Sequence, residues 1–156
     1  MSFRVTSQSR DPSTSLRAGR KGAGHERVPM TETPTAIIVF AHGSAVPEAN
    51  EEVARLAREV SRRAQCPARC AFLELAQPDL PAAVADFVAA GARRIVVVPY
   101  FLTMGVHVRR DLPRLIAEQQ ARFPEVDLRA GESLEGYPGM AQALLDRVEE
   151  ALKSSD

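Results

Sequence analysis

Cysteine is scarce: the 156 residues hold two, Cys66 and Cys70, too few for a disulfide scaffold. A reducing cytoplasm suits them best, and their C-x3-C spacing reads as packing or incidental residues. Long apolar runs are absent. No stretch of about 18 uncharged apolar residues offers a transmembrane helix, and the N-terminus lacks the apolar core of a secretory signal. Charge of one sign is not in excess either. The net charge of +0 gives no reason to expect a nucleic acid or a membrane surface as partner. No internal repeat is visible. There is no HExxH and no CxxC, so no local motif announces a metal site. Histidine is rare as well, with three in the chain, and the position of each carries weight.

What is present divides unevenly. Residues 1–33 carry six Lys/Arg against three Asp/Glu, leaving fourteen against seventeen in the remainder. This segment is rich in Ser, Arg and Gly and shows no apolar periodicity, so it buries too little to offset its ordering entropy. It is expected to be a disordered extension. Met30 is a candidate natural start, and Asp11 and Glu26 argue against a transit peptide. His25 falls in this tail.

From residue 34 onward the pattern is regular and implies one domain, 34–156. "TAIIVFA" (35–41) reads as a buried strand. Val53, Leu56, Ala57, Val60 and Ala64 at helical spacing predict a helix over 47–64. "RCAFLEL" (69–75) is the second strand. Asp79 is the expected N-cap of a helix reaching residue 90, with Gly91 after it. "RRIVVVPYFL" (93–102) is the third strand, in which Pro99 belongs near the end, where pairing lapses. A helix over 111–123 follows, then a weaker strand over 126–134. A closing helix over 138–152 carries Met140, Leu144, Val148 and Leu152. This alternation predicts a three-layer α/β/α fold around a four-stranded parallel sheet, wound like a flavodoxin with right-handed crossovers.

In such a sheet ligands bind outside the carboxyl ends of the strands. His42, Gly43 and Ser44 follow the first strand, and Glu74 ends the second. His107, Arg109 and Arg110 follow the third, and Glu132, Glu135 and Tyr137 the fourth. Both histidines of the folded part thus fall at one edge, with a carboxylate between them in sequence. Two imidazoles and a carboxylate are a ligand set for Co, Fe, Ni or Zn, and equally a set of proton acceptors near neutral pH. Glu74 is either a strand-end residue facing solvent or a buried functional group. Gly43 permits a tight turn, and Ser44 helps satisfy the following helix's amides. Arg109, Arg110 and Arg114 are either a solvated helix face or a grip for anionic groups.

Taken together, "IIVFAHGSAVPEANEEV", "AFLELAQPDLPAAV", "IVVVPYFLTMGVHVRRDLP" and "GYPGMAQALLDRVEEAL" resemble the motifs of the short-form sirohydrochlorin chelatases of the CbiX/SirB type, which are class II chelatases. The resemblance spans roughly 35–153. It implies insertion of a divalent metal substrate, cobalt first, then ferrous iron or nickel, into the tetrapyrrole sirohydrochlorin, in cobalamin or siroheme biosynthesis. No organic cofactor is implied. His42 and His107 match the family's two active-site histidines and Glu74 its motif glutamate, as metal ligands and proton acceptors. Arg109 and Arg110 are expected to orient the substrate's carboxylates. Phe101, Leu102, Met104 and Val106 would wall the macrocycle, with Ser44 and Gly105 completing the substrate-binding set. The nickel branch often carries a His-rich loop, which this chain lacks. A single unit of this size implies a homodimer with active edges facing each other. The rival readings are a metal-binding or tetrapyrrole-binding module without chelatase activity. A histidine phosphatase is disfavoured, because "AHGS" has no arginine before its histidine.

Overall fold

β-Branched and aliphatic residues from Thr35 to Ala41 form β1, buried along its whole length. The computed structural model describes residues 33–154, and the extension expected over 1–33 lies outside them except for Thr33. β1 is flanked by β2 (Ala68–Phe72) and β3 (Arg94–Pro99), and β4 (Asp127–Ala130) pairs with β3 at the edge. All pairings are parallel, in the order β2-β1-β3-β4. The helices are α1 (Pro47–Ala64), α2 (Leu80–Ala89), α3 (Val106–Arg122) and α4 (Gly139–Lys153).

The period of two along the strands sorts the core. Ala36, Ile38 and Phe40 of β1, Ala71 of β2, and Ile95 and Val97 of β3 pack beneath Leu80, Ala83, Val84 and Phe87 of α2 and Leu112 of α3. The alternate residues Ile37, Val39 and Ala41 face the other side, where α1 packs over β1 and β2. The architecture is thus the expected α/β/α winding, with one departure. α4 has no buried residue, and Leu144, Val148 and Leu152 are all exposed. Their spacing is that of a core stripe, but no described element covers it.

Local signals explain most boundaries. Asp79 caps α2 by accepting from Ala82 N at 2.8 Å. Gly91, at φ 91°, ends it, with Gly91 N donating to Val88 O and Ala92 N to Phe87 O, both at 2.9 Å. This is the Schellman pairing that a left-handed C′ residue allows. Pro99 is fully buried and pairs with Phe40. Tyr100 N donates to β1, so the ring nitrogen of Pro99 faces the β4 side, past Ala130 where that pairing stops.

Four expected boundaries are corrected. β4 ends at Ala130 rather than 134, because Pro99 of β3 offers no N–H beyond that point. β2 ends at Phe72 rather than 75, because Leu75 turns left-handed at φ 63° and the chain doubles back so that Phe72 N donates to Pro78 O. β3 ends at Pro99 rather than 102, where the proline interrupts the ladder. α3 begins at Val106 rather than 111 and runs through Pro113. That proline removes only the bond to the carbonyl of Arg109, on the exposed side of the helix. Among the described residues no helix is long and apolar enough to cross a membrane.

Candidate metal and tetrapyrrole site

The ladder between β1 and β2 continues past the strands. Leu73 N donates to Ala41 O at 2.9 Å and Glu74 N to His42 O at 3.0 Å. The main chains of residues 42 and 74 therefore run side by side, and their side chains emerge together at the carboxyl edge of the sheet. His42 Nε2 lies 3.0 Å from Glu74 Oε1, with the two side chains 53% and 57% exposed. Glu74 is accordingly a strand-end residue open to solvent, not a buried charge.

Gly43 makes this approach possible. It sits at φ 92°, and a Cβ there would fall 1.9 Å from the backbone oxygen of Glu74. Beyond it, the Asn50 carboxamide clasps Ser44: Ser44 N donates to Asn50 Oδ1 at 2.9 Å, and Asn50 Nδ2 donates to Ser44 O at 2.7 Å. Ser44 Oγ accepts from Val46 N at 3.0 Å, so it serves a backbone amide as expected. The 42–46 turn is thus held from both ends. Asn50 went unnoticed in the sequence because an asparagine four residues into a helix reads as solvent-facing.

The distance has a coordination meaning. Two donors 3.0 Å apart, each about 2.1 Å from one ion, subtend an angle of about 90° at it. That is one edge of an octahedron. Among the described residues no third His, Cys, Asp or Glu joins this pair to complete a group of metal ligands. His107 is the second residue of α3, at the same carboxyl edge, and its side chain lies outside the described set.

The segment after β3 separates the expected wall residues. Phe101 turns inward and meets Phe40 edge-to-face at 6.1 Å, so it supports the core rather than the rim. Met104 packs partly against that core. Leu102 and Val106 are exposed, Tyr100 beside them is partly exposed, and Gly105 caps α3. Leu75, 67% exposed and held left-handed next to Glu74, adds an apolar face that sequence reading missed. Its only signal was its place after the glutamate. An outward-facing leucine in this conformation is uncommon and clusters at functional positions.

The arginines are already engaged. Arg109 Nη2 lies 2.6 Å from Glu135 Oε2, and its Nε donates to Met104 O at 2.9 Å. It therefore fastens the loop after β4 to the start of α3. Arg110 pairs with Asp111 at 3.2 Å and Arg114 with Glu118 at 2.7 Å, both on the exposed surface.

Residues 36–151 match the family model described as CbiX. The sirohydrochlorin cobaltochelatase of Methanosarcina barkeri is 32% identical over 131 residues, which covers 79% of this chain and 100% of that protein. The crystal structure of a CbiX protein from Marinobacter aquaeolei VT8 superposes with a TM-score of 0.70 at 34% identity, covering 78% of this chain and 100% of the other. The sirohydrochlorin chelatase SirB of Bacillus subtilis subspecies spizizenii, in complex with cobalt, gives a TM-score of 0.69 at 28% identity. There the match spans 76% of this chain but only 51% of SirB.

Proposed function

The chain belongs to the CbiX family, and on that premise we propose that it inserts a divalent metal into sirohydrochlorin, cobalt foremost and ferrous iron next. The observation that carries the reading is the His42–Glu74 edge, two donors 3.0 Å apart, half-exposed at the rim of the sheet. Metallation requires that the ion lose water, that the ring lose two pyrrole protons, and that the protein let the ion go. An imidazole and a carboxylate at this spacing bind an ion through two positions and leave the others open. That suits transit better than a closed four-ligand structural site. Once released from the ion, the same two groups accept protons. His107, in the first turn of α3, is assigned as the further imidazole.

The flanking surface suits the flat apolar face of a macrocycle. Leu75, next to Glu74, and Leu102 and Val106, in the segment after β3, present exposed aliphatic groups. A homodimer follows from size: the match covers about half of SirB, and two copies would supply both walls of a cleft. The two free thiols, Cys66 and Cys70, agree with a reducing cytoplasm.

Anaerobic metallation tests the reading, followed by the absorbance change of sirohydrochlorin with cobalt or ferrous iron and catalytic protein. The wild type accelerates the change over many turnovers. His42→Ala and His107→Ala each slow it sharply, and Glu74→Gln, which removes the ligand's charge, weakens cobalt binding, all with unchanged circular dichroism. Wild-type rates in all three variants would overturn the assignment. Stoichiometric binding without turnover would mean a carrier rather than an enzyme.

A further inference from the structure

The two turns that carry His42 and His107 follow one plan. Each leaves a strand of the parallel sheet, β1 or β3, and runs straight into a helix, α1 or α3. The N-cap residues are Val46 and Gly105, and neither supplies a side-chain cap. So neither helix start is fixed by a side chain at its own cap.

In both, the fourth residue of the helix reaches back instead. Asn50, fourth in α1, takes both main-chain groups of Ser44: Ser44 N donates to Oδ1 at 2.9 Å, and Nδ2 donates to Ser44 O at 2.7 Å. Arg109, fourth in α3, takes the carbonyl of Met104, its Nε donating at 2.9 Å. A carboxamide donates and accepts, whereas a guanidinium only donates. Arg109 therefore cannot serve the N–H of Met104, and Glu135, from the connection between β4 and α4, does so. Glu135 Oε2 accepts from Met104 N at 3.4 Å and from Arg109 Nη2 at 2.6 Å. The ion pair does around Met104 what one asparagine does around Ser44. Ser44 lies two residues after His42, and Met104 three before His107.

Little else holds the second turn. Among the described residues no other side chain is hydrogen-bonded to the main chain of residues 102–106. Leu102 and Val106 are exposed, and a Cβ on Gly105 would meet nothing within 4 Å. Packing does not wedge the stretch that leads into His107.

We propose that Glu135 and Arg109 are positioning residues for His107, setting the start of α3 through the two main-chain groups of Met104. The inference rests on the assignment of His107 as the further imidazole. It gives Arg109 a different task from gripping a substrate carboxylate, and the two tasks differ in kinetic signature. Loss of a grip made equally before and during reaction raises KM and spares kcat. Loss of positioning lowers kcat, because a misplacement of about 1 Å costs on the order of 100-fold.

Anaerobic steady-state metallation, with sirohydrochlorin varied at saturating cobalt, separates them. Glu135→Ala and Arg109→Ala each lower kcat, by up to about 100-fold, and leave KM for sirohydrochlorin near the wild-type value. Glu135→Gln, whose carboxamide still accepts from Met104 N, keeps more of the rate than Glu135→Ala. The Glu135→Ala, Arg109→Ala double variant is no slower than the slower single, because the two side chains form one clasp. In a His107→Ala background Glu135→Ala costs nothing further. Both side chains are exposed, so neither substitution opens the core, and circular dichroism checks each variant. A raised KM with kcat intact would make Arg109 a substrate grip and overturn the proposal. Wild-type kinetics in both single variants would overturn it too, as would a Glu135→Ala loss that persists in full without the imidazole. Each of those results leaves the chelatase reading standing. A wild type that does not turn over sinks that reading and the inference with it.

Discussion

Replacing Gly43 by alanine is the sharpest probe of the site, and Gly91 supplies its control. Both glycines lie in the left-handed region, at φ 92° and 91°. Alanine at either position meets the same conformational penalty, on the order of 1–3 kcal/mol. The surroundings differ. At Gly91 nothing lies within 4 Å of the added carbon, whereas at Gly43 it falls 1.9 Å from the Glu74 carbonyl oxygen and 3.3 Å from Phe72 Cβ. That oxygen is backbone and must move by about 1.5 Å to reach ordinary contact. Overpacking of this kind adds about 1–3 kcal/mol. Gly43→Ala should therefore melt roughly 4–12 °C below Gly91→Ala, at about 4 °C per kcal/mol for a domain of this size. If the 74 loop yields instead, the melting difference shrinks but the 3.0 Å approach of His42 to Glu74 is lost, and cobalt binding falls. Differential scanning calorimetry and cobalt titration of both variants cover the two routes. Equal melting temperatures together with wild-type cobalt binding in Gly43→Ala would refute the role given to this glycine.

Two further outcomes concern Asn50 and the cysteines. Asn50→Ala removes two partly buried hydrogen bonds to Ser44, at 2.9 and 2.7 Å, and should cost about 2 kcal/mol in urea unfolding at about 1 kcal/mol per bond. A loss below about 0.5 kcal/mol, the ordinary range of a surface substitution, would show that the clasp is not what holds the turn. Burial pushes the thiols of Cys66 and Cys70 above the ordinary cysteine range. A raised value means less thiolate at any given pH, so alkylation by iodoacetamide should rise at a pH above that of free cysteine, about 8.5. A midpoint at or below it, read by mass spectrometry, would contradict the burial argument.

The sheet was legible because β-branched runs and strand–helix alternation are local signals. So were Asp79 and Gly91, whose roles depend on neighbours within five residues. The start of α3 was not. Asp111 and Pro113 together imitate a helix beginning, and only the packing of Val108 and Leu112 into the core shows that the helix is already under way. The strand-end rule brought His42 and Glu74 to one edge from sequence alone. It could not find the partner of Arg109, because Glu135 lies 26 residues away, nor foresee that Phe101 would turn toward Phe40. The stripe on α4 was visible, but periodicity says only that a face needs cover, not which chain provides it.

The angle at the site bears on how an ion would leave it. A tetrapyrrole offers four nitrogens in one plane, so an ion within the ring retains only the two positions above and below that plane, opposite one another. His42 and Glu74, 3.0 Å apart, would meet an ion at about 90°, given ligand distances of about 2.1 Å. Ligands at that angle cannot both occupy opposite positions. On the proposed roles, seating the ion in the ring would break at least one of the two protein bonds, and the freed group would be available as a base when the pyrrole protons leave. A pair arranged on opposite sides of the ion would have stayed bound through insertion and held the product. With the roles proposed for them, a half-exposed pair of ligands, supported by Gly43 and Asn50 rather than closed by further donors, would therefore suit release of the ion better than a closed site.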